Sequence, residues 1–298
     1  MVAANGPAVG VDRPLQSRGQ YDPFRVPDRP SKAPSPSPQA AHHRPPPVPV
    51  RRRLLITAGP TQEPLDSVRY IGNRSSGRLG LAIADAALDP RWDGETRGWD
   101  VCLLLGPTHT PIPARLEEAR HYSRARLLRF RTTAELQALL REHAPWCDVL
   151  IMAAAVADFR PKRADPVPLG AQPEGPSPSS NSPPGKIRRQ EGGLTLELEA
   201  TPDLIAEVAR HRRPGQVLVG FALEERARMM DAARDKLARK GLDFIVANPL
   251  ETMDSAEIEG VLLSRDGRVL APPGALTGHA LVSKEAFAQF LLRVLAGE

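Results

Sequence analysis

The chain has 298 residues, with 40 Lys and Arg against 35 Asp and Glu and a formal charge of +5. Nine of the basic and three of the acidic residues fall in 1–53, so the remainder, 31 against 32, is near neutral. No basic patch is interleaved with aromatics and no apolar run reaches 18 residues, so neither nucleic-acid binding nor membrane spanning is expected.

Proline divides the chain. Twelve of the 32 prolines lie in 1–50 and eight more in 161–184. Stretches this poor in periodic apolar residues cannot bury enough surface to offset the entropy of ordering. We therefore expect a disordered Pro/Arg-rich tail over 1–52 and one domain over 53–298, interrupted by a disordered insertion at 161–185. The N-terminus lacks the basic start and apolar core of a secretion signal, and its prolines oppose an amphipathic organelle leader. Cys102 and Cys147 sit in apolar surroundings without metal-ligand spacing. They predict buried thiols in a reducing, cytoplasmic setting.

In chain order, "RRLLITAG" predicts a buried strand running into Gly59-Pro60, followed by a long loop and a helix over 78–88. "WDVCLLLGP" and "LLRFR" predict two further strands, and "TTAELQALLREHA" a helix with a Thr cap. "CDVLIMAAAVADF" reads as one continuous apolar strand, and "KIRR" and "LTLELEA" as the two strands of a hairpin flap. Then come the helix "PDLIAEVARHR", the strand "QVLVGFAL", the helix "ERARMMDAARDKLARKG" and the strand "LDFIVANP". A hairpin across Asp266-Gly267 and the helix "SKEAFAQFLLRVLAG" close the chain. Strands apolar on both faces, alternating with helices, predict an α/β fold: a doubly wound, mostly parallel sheet flanked by helices, Rossmann-like, with a mobile flap hairpin.

Ligands of such folds bind beyond the carboxyl ends of the strands. "NRSSGRLG", residues 73–80, precedes the first crossover helix, and a helix start offers unpaired N–H groups and partial positive charge to an anion. Asn73, Ser75, Gly77 and Gly80 are candidates there, with Gly59 after the first strand; an ordinary serine cap with a glycine turn is the plain alternative. Lys236 and Lys240 share one helix face, where they either meet a ligand or complement the helix dipole. Lys186 follows the insertion, as a cation that closes over a triphosphate would, or as a solvated hairpin end. The glycine loop lies about 18 residues past the first strand, too far for a nicotinamide fingerprint, and no Walker A loop, Ser-His-Asp elbow, H-E-x-x-H or Cys/His cluster occurs.

Together, "LLITAGPTQEPLDSVRYIGNRSSGRLG", "AAAVADFRPK", "GKIRRQ", "TPDLIAEVA", "VGFALE" and "KLARKGLDFIVAN" resemble the phosphopantothenate–cysteine ligase (phosphopantothenoylcysteine synthetase) family of coenzyme A biosynthesis, over residues 53–296. The match looks like a bacterial-type, stand-alone form, without the flavin-dependent decarboxylase domain to which many such ligases are fused. The resemblance implies the substrates 4′-phosphopantothenate and L-cysteine, CTP as co-substrate with ATP as the alternative, Mg²⁺ bound largely by the nucleotide itself with no protein metal ligand assigned, a homodimer and a separate decarboxylase. It assigns Asn73 and Lys186 to catalysis. It places Arg69, Asn73, Ala154, Ala155 and Asp158 at phosphopantothenate. Gly59, Ser75, Gly77, Gly80, Asp158, Thr201, Pro202, Asp203, Leu204, Phe221, Lys236, Lys240 and Asn248 fall at the nucleotide. Arg69 is implied to reach the neighbouring subunit's site.

The chain departs from the family pattern at Arg188 and Arg189, where lysines are usual, and at Thr201, Leu223 and Pro249. An Arg for Lys exchange keeps charge and alters geometry. A nicotinamide-dependent reductase on the same kind of sheet and a non-catalytic nucleotide-binding relative are the alternative functions.

Overall fold

The computed structural model describes residues 51–92, 98–162, 186–187, 194–273 and 281–298. Residues 1–50 of the expected tail (1–52), residues 163–185 of the expected insertion (161–185), and Arg188 and Arg189 lie outside the described residues; Arg52, placed in the tail from sequence, opens the first strand.

β1 (Arg52–Ala58) is followed by a small hairpin of β2 (Glu63–Pro64) and β3 (Tyr70–Ile71), then by α1 (Arg78–Ala87) and β4 (Trp99–Leu105). Next come α2 (Ala114–His121), β5 (Ala125–Arg129), α3 (Thr133–His143), β6 (Val149–Met152) and β7 (Phe159–Pro161). β8 (Leu198–Ala200), α4 (Leu204–Arg210), β9 (Val217–Glu224), α5 (Met229–Arg239) and β10 (Phe244–Pro249) follow. The chain ends in β11 (Glu257–Ile258), β12 (Val261–Ser264), β13 (Val269–Leu270), β14 (Val282–Ser283) and α6 (Lys284–Ala296).

Eight strands form one sheet in the order β13-β12-β10-β9-β6-β1-β4-β5. Pairing is parallel from β10 to β5, and β12 and β13 add an antiparallel edge. The chain winds outward from β1 through β4 to β5, then crosses back to place β6 on the other side of β1. That reversal opens a crevice at the carboxyl ends of the strands.

Strand alternation sorts the core into two layers. Leu54, Ile56 and Ala58 of β1 pack with Leu81 and Ile83 of α1 and Leu291 of α6, while Leu55 joins Cys102, Leu136, Leu140, Leu204 and Ala233 on the opposite face. Each fully buried leucine or isoleucine stabilises by roughly 1.5–3 kcal/mol, so these layers dominate the fold. The Thr cap expected before α3 is present and is completed into a capping box: Thr132 Oγ1 accepts from Glu135 N, and the Glu135 carboxylate accepts from Thr132 N. Gly267 takes the left-handed turn between β12 and β13 at φ 89°. Both cysteines are free and buried, and desolvation pushes each thiol up to about 11, which keeps them as inert core thiols. Among the described residues, no helix is long and apolar enough to cross a membrane.

The doubly wound fold agrees with the sequence, with local corrections. The expected continuous strand from Cys147 to Phe159 breaks after Met152, where Ala153, Ala154, Ala155 and Ala157 bond to Thr57, Gly59 and Thr61 at the end of β1 and in its loop. β8 pairs antiparallel with β7, while half of the expected partner "KIRR" lies outside the described residues. The hairpin β2–β3, helix α2 and the β11–β14 pair are additional to the sequence reading. The expected helix from Glu225 begins only at Met229.

Gly80 marks the tightest helix–sheet contact: a Cβ there would stand 2.3 Å from Ala58 Cβ. Alanine gains about 1 kcal/mol over glycine in a helix interior, but overpacking a filled site costs about 1–3 kcal/mol. Gly80→Ala is therefore expected to lower the denaturation midpoint. An unchanged or higher midpoint would show that α1 can ride further from β1.

Candidate functional site

The site is built where β1 and β6 end side by side. Ala153 N donates to Thr57 O (3.1 Å), Ala155 N to Gly59 O (2.9 Å), and Thr61 N back to Ala155 O (3.1 Å). The hydroxyls of Thr57 and Thr61, both fully buried, accept from Ala154 N (3.1 Å) and Ala157 N (2.8 Å). The turn needs glycine: Gly59 has φ 81°, and a Cβ on Gly106 in the adjoining loop would lie 2.3 Å from Pro60 O.

On this base stands a cleft of about 720 Å³. One wall is the 72–80 loop and the start of α1. Gly77, the residue before the helix, is left-handed at φ 71°; no side chain caps the helix and no acidic residue stands in its first turn. Thr108 and Thr110, beyond β4, donate their hydroxyls to Ser76 O at 2.6 and 2.7 Å, and Gly77 N donates to Ser75 Oγ at 3.3 Å. The first amides of α1 thus face the cleft as an anion-binding end. Asn73 is held by a 2.8 Å bond from its Nδ2 to Val156 O, which joins this loop to the β6 loop.

The opposite wall comes from α4, β9, α5 and β10. Thr201 N donates to Asp158 O (2.9 Å) and its hydroxyl to Ala157 O. Asp203 caps α4 through Ala206 N and pairs with Lys240 Nζ at 2.9 Å, while Lys236 Nζ pairs with Glu224 at 3.2 Å. Phe221 and Asn248 complete this side. The Arg74–Asp254 pair (2.6 Å) spans from the 72–76 loop to the segment after β10.

The structure brings Asn73, Ser75, Gly77, Gly80, Ala154, Ala155, Asp158, Thr201, Pro202, Asp203, Leu204, Phe221, Lys236, Lys240 and Asn248 into this one cleft. Three residues lie elsewhere. Gly59 is underneath, where a Cβ on Gly77 would stand 3.4 Å from its backbone. Arg69 and the exposed Lys186 sit beyond the cleft lining, at the β2–β3 hairpin. The two loop glycines have structural reasons of their own, namely the left-handed backbone at Gly77 and the Ala58 contact at Gly80.

Asp66 organises the outlying group and was not legible as a site residue. Its buried carboxylate accepts from Val68 N (2.8 Å), Arg69 N (2.7 Å) and Ile187 N (3.1 Å), and Arg69 donates to Ile187 O (3.1 Å) and pairs with Asp66 at 3.4 Å. The backbone bonds, that from Val68 foremost, hold this carboxyl below its ordinary value. An Asp two residues before a bonded N–H is the signal of a local turn, the only trace it leaves in sequence. Thr57, Thr108, Thr110, Thr252 and Lys284 are further site-forming residues that sequence reasoning missed.

Among the described residues, no cluster of three His, Cys, Asp or Glu could hold a metal ion. Asp203, Glu224 and Asp254 are each committed to a cation. This donor set fits a divalent ion carried in on phosphates better than one caged by side chains.

The model of the DNA/pantothenate metabolism flavoprotein C-terminal domain family matches residues 50–168 and 178–297. The coenzyme A biosynthesis bifunctional protein CoaBC of Mycobacterium bovis is 38% identical over 231 residues, 75% of this chain and 47% of that protein. A cysteine/cysteine sulfinic acid decarboxylase from an unknown prokaryotic organism is 38% identical over 200 residues, 67% of this chain and 46% of that protein. The chain spans about half the length of the curated relatives it matches. Among solved structures, the C-terminal domain of a CoaBC bifunctional protein superposes with a TM-score of 0.58 at 27% identity, covering 83% of this chain and 94% of that one. With the family pattern running through both halves of the sheet and every element of the cleft, this chain belongs to the DNA/pantothenate metabolism flavoprotein C-terminal domain family.

Proposed function

We propose that this chain condenses 4′-phosphopantothenate with L-cysteine through an acyl nucleotidylate, with CTP as the activating nucleotide. The observation that carries the reading is the meeting, in one cleft, of an uncapped helix start, Asn73, and Lys236 and Lys240 at the end of α5, in a chain among whose relatives are proteins named for coenzyme A biosynthesis.

The chemistry fits the residues. A carboxylate is a poor acyl donor; attack of its oxygen on the α-phosphorus forms a mixed anhydride and expels pyrophosphate. The cysteine amine then attacks the acyl carbon, forming the amide bond as the nucleoside monophosphate leaves and the amine loses its proton. Amides of α1 and the lysines at the end of α5 meet phosphate charge that is already in place, so little reorganisation is needed during reaction. Asn73, oriented by Val156 O, stands where the acyl group would be held for the second attack. Phe221, Asn248 and the 201–204 turn offer a base and ribose subsite. A divalent ion would shield the triphosphate.

Arg69 and Lys186 enter this scheme through a second copy of the chain. Val68, Tyr70, Phe159, Leu194, Leu196 and Leu198 are all exposed on and beside the two small sheets that carry this edge. Six large apolar side chains gathered in this way favour a homodimer that covers them. Covering that edge would set Arg69 and Lys186 against a neighbouring cleft.

With phosphopantothenate, cysteine and Mg²⁺ supplied, pyrophosphate release is expected to be fastest with CTP among CTP, ATP, GTP and UTP; equal or faster turnover with ATP would reverse the nucleotide choice. The half-reactions separate by residue. Asn73→Asp is expected to release pyrophosphate and accumulate acyl nucleotidylate with little amide, and Lys186→Gln to stop before the intermediate. Equal defects in pyrophosphate release would remove these roles.

Asp66→Asn tests the tether of Lys186. A carboxyl depressed in the folded state contributes stability above its unfolded value, about pH 3.9, and loses it as pH falls through the lower folded value. The tether should therefore survive to below pH 4 in the parent chain. In the variant, loss of charge-assisted bonds is expected to slow intermediate formation about tenfold at neutral pH, while nucleotide KM changes little. A rate equal to the parent's would show that the hairpin does not position Lys186.

A further inference from the structure

Lys284 is the first residue of α6 and only 8% exposed, yet it lines the cleft. Its ammonium donates to Ser255 O, and among the described residues it forms no ion pair. Arg78, the first residue of α1, also lines the cleft and also lacks an ion pair among the described residues. The two helices pack together along one face of the sheet. Burial first, and then the charge of Arg78, holds the Lys284 ammonium below its ordinary value; Asp254 and Glu285 act on it only from a distance, and Asp254 is already paired with Arg74.

This corner therefore holds two cations and an uncapped helix start without a contacting carboxylate. Elsewhere in the cleft each cation has an acidic partner: Lys236 has Glu224, Lys240 has Asp203, and Arg74 has Asp254. Keeping like charges together in a partly desolvated pocket is costly unless an anion enters. Ser75, Ser76 and Gly77 line the same cleft.

We propose that Arg78 and Lys284 form the subsite for the two terminal phosphates of the nucleoside triphosphate, and so for the pyrophosphate that leaves. They approach from the α1/α6 face of the sheet, while Lys236 and Lys240 approach from the α5 face. The reaction in which this subsite serves rests on the function proposed above; its affinity for pyrophosphate does not. The phosphate monoester of phosphopantothenate offers the same oxyanion chemistry and is the competing source.

The test is calorimetric titration of the full chain and of the variants Arg78→Gln and Lys284→Met with inorganic pyrophosphate, CMP and phosphopantothenate. Each variant is expected to bind pyrophosphate at least about tenfold more weakly, the loss of one charge-assisted contact. CMP and phosphopantothenate affinities should stay within about twofold. Arg78 is exposed, so its variant decides the matter if Lys284→Met does not fold. Unchanged pyrophosphate affinity in Arg78→Gln, or in a folded Lys284→Met that merely melts earlier, would overturn the subsite. So would a parent chain that binds no pyrophosphate, or variants that lose phosphopantothenate while keeping pyrophosphate. Absence of ligation with pyrophosphate binding intact would remove the reaction and leave the subsite standing.

Discussion

Everything in the cleft depends on how the ends of β1 and β6 are joined. Strand order places them side by side, and the loops that leave them diverge to opposite faces of the sheet. Five hydrogen bonds close the seam: three run between backbone groups, and two end on the hydroxyls of Thr57 and Thr61. Thr57 and Thr61 are fully buried, and a buried polar group left without its partner costs about 1–3 kcal/mol. The seam spends the amides of Ala154 and Ala155 internally. Those residues therefore present methyl groups and a fixed surface to a ligand, while donors come from α1 and from side chains.

Charge in the cleft is arranged in two regimes. Three cations are neutralised within the protein by carboxylates on neighbouring elements. Ion pairs open to solvent contribute only about 0–1 kcal/mol, so phosphate can take over such a cation at little cost. Arg78 and Lys284 have no such internal partner among the described residues. An anion entering the cleft would meet exchangeable partners on one side and a standing excess of positive charge on the other, a gradient that would orient it before any specific contact forms.

The edge formed by β2–β3 and β7–β8 serves another purpose. It is too short to stabilise itself as a sheet, and it carries exposed valine, tyrosine, phenylalanine and leucine side chains. Asp66 supplies its order from within by gathering three backbone donors, one of them from Ile187. A carboxylate is suited to this task because it accepts several bonds at once. Order at this edge therefore rests on one buried charge, in contrast to the apolar layers that hold the main sheet.

The sequence by itself determined the layered α/β architecture, since runs of apolar residues at strand and helix period leave few other ways to bury them. It also determined where the ligand edge lies, since glycine, proline and small polar residues gather after each strand. The cap of α3, the turn at Gly267 and the membership of fifteen residues in one cleft were legible because each rests on local spacing or on a contiguous motif. The pairing of β8 with β7, the break after Met152, the role of Asp66 and the isolation of Lys284 were not. Each depends on a partner between 29 and 121 residues away, as from Lys284 to Ser255 or from Asp66 to Ile187. Tertiary structure alone decided these, because periodicity reports which face of an element is buried and carries no information about which distant backbone group or charge will meet it there.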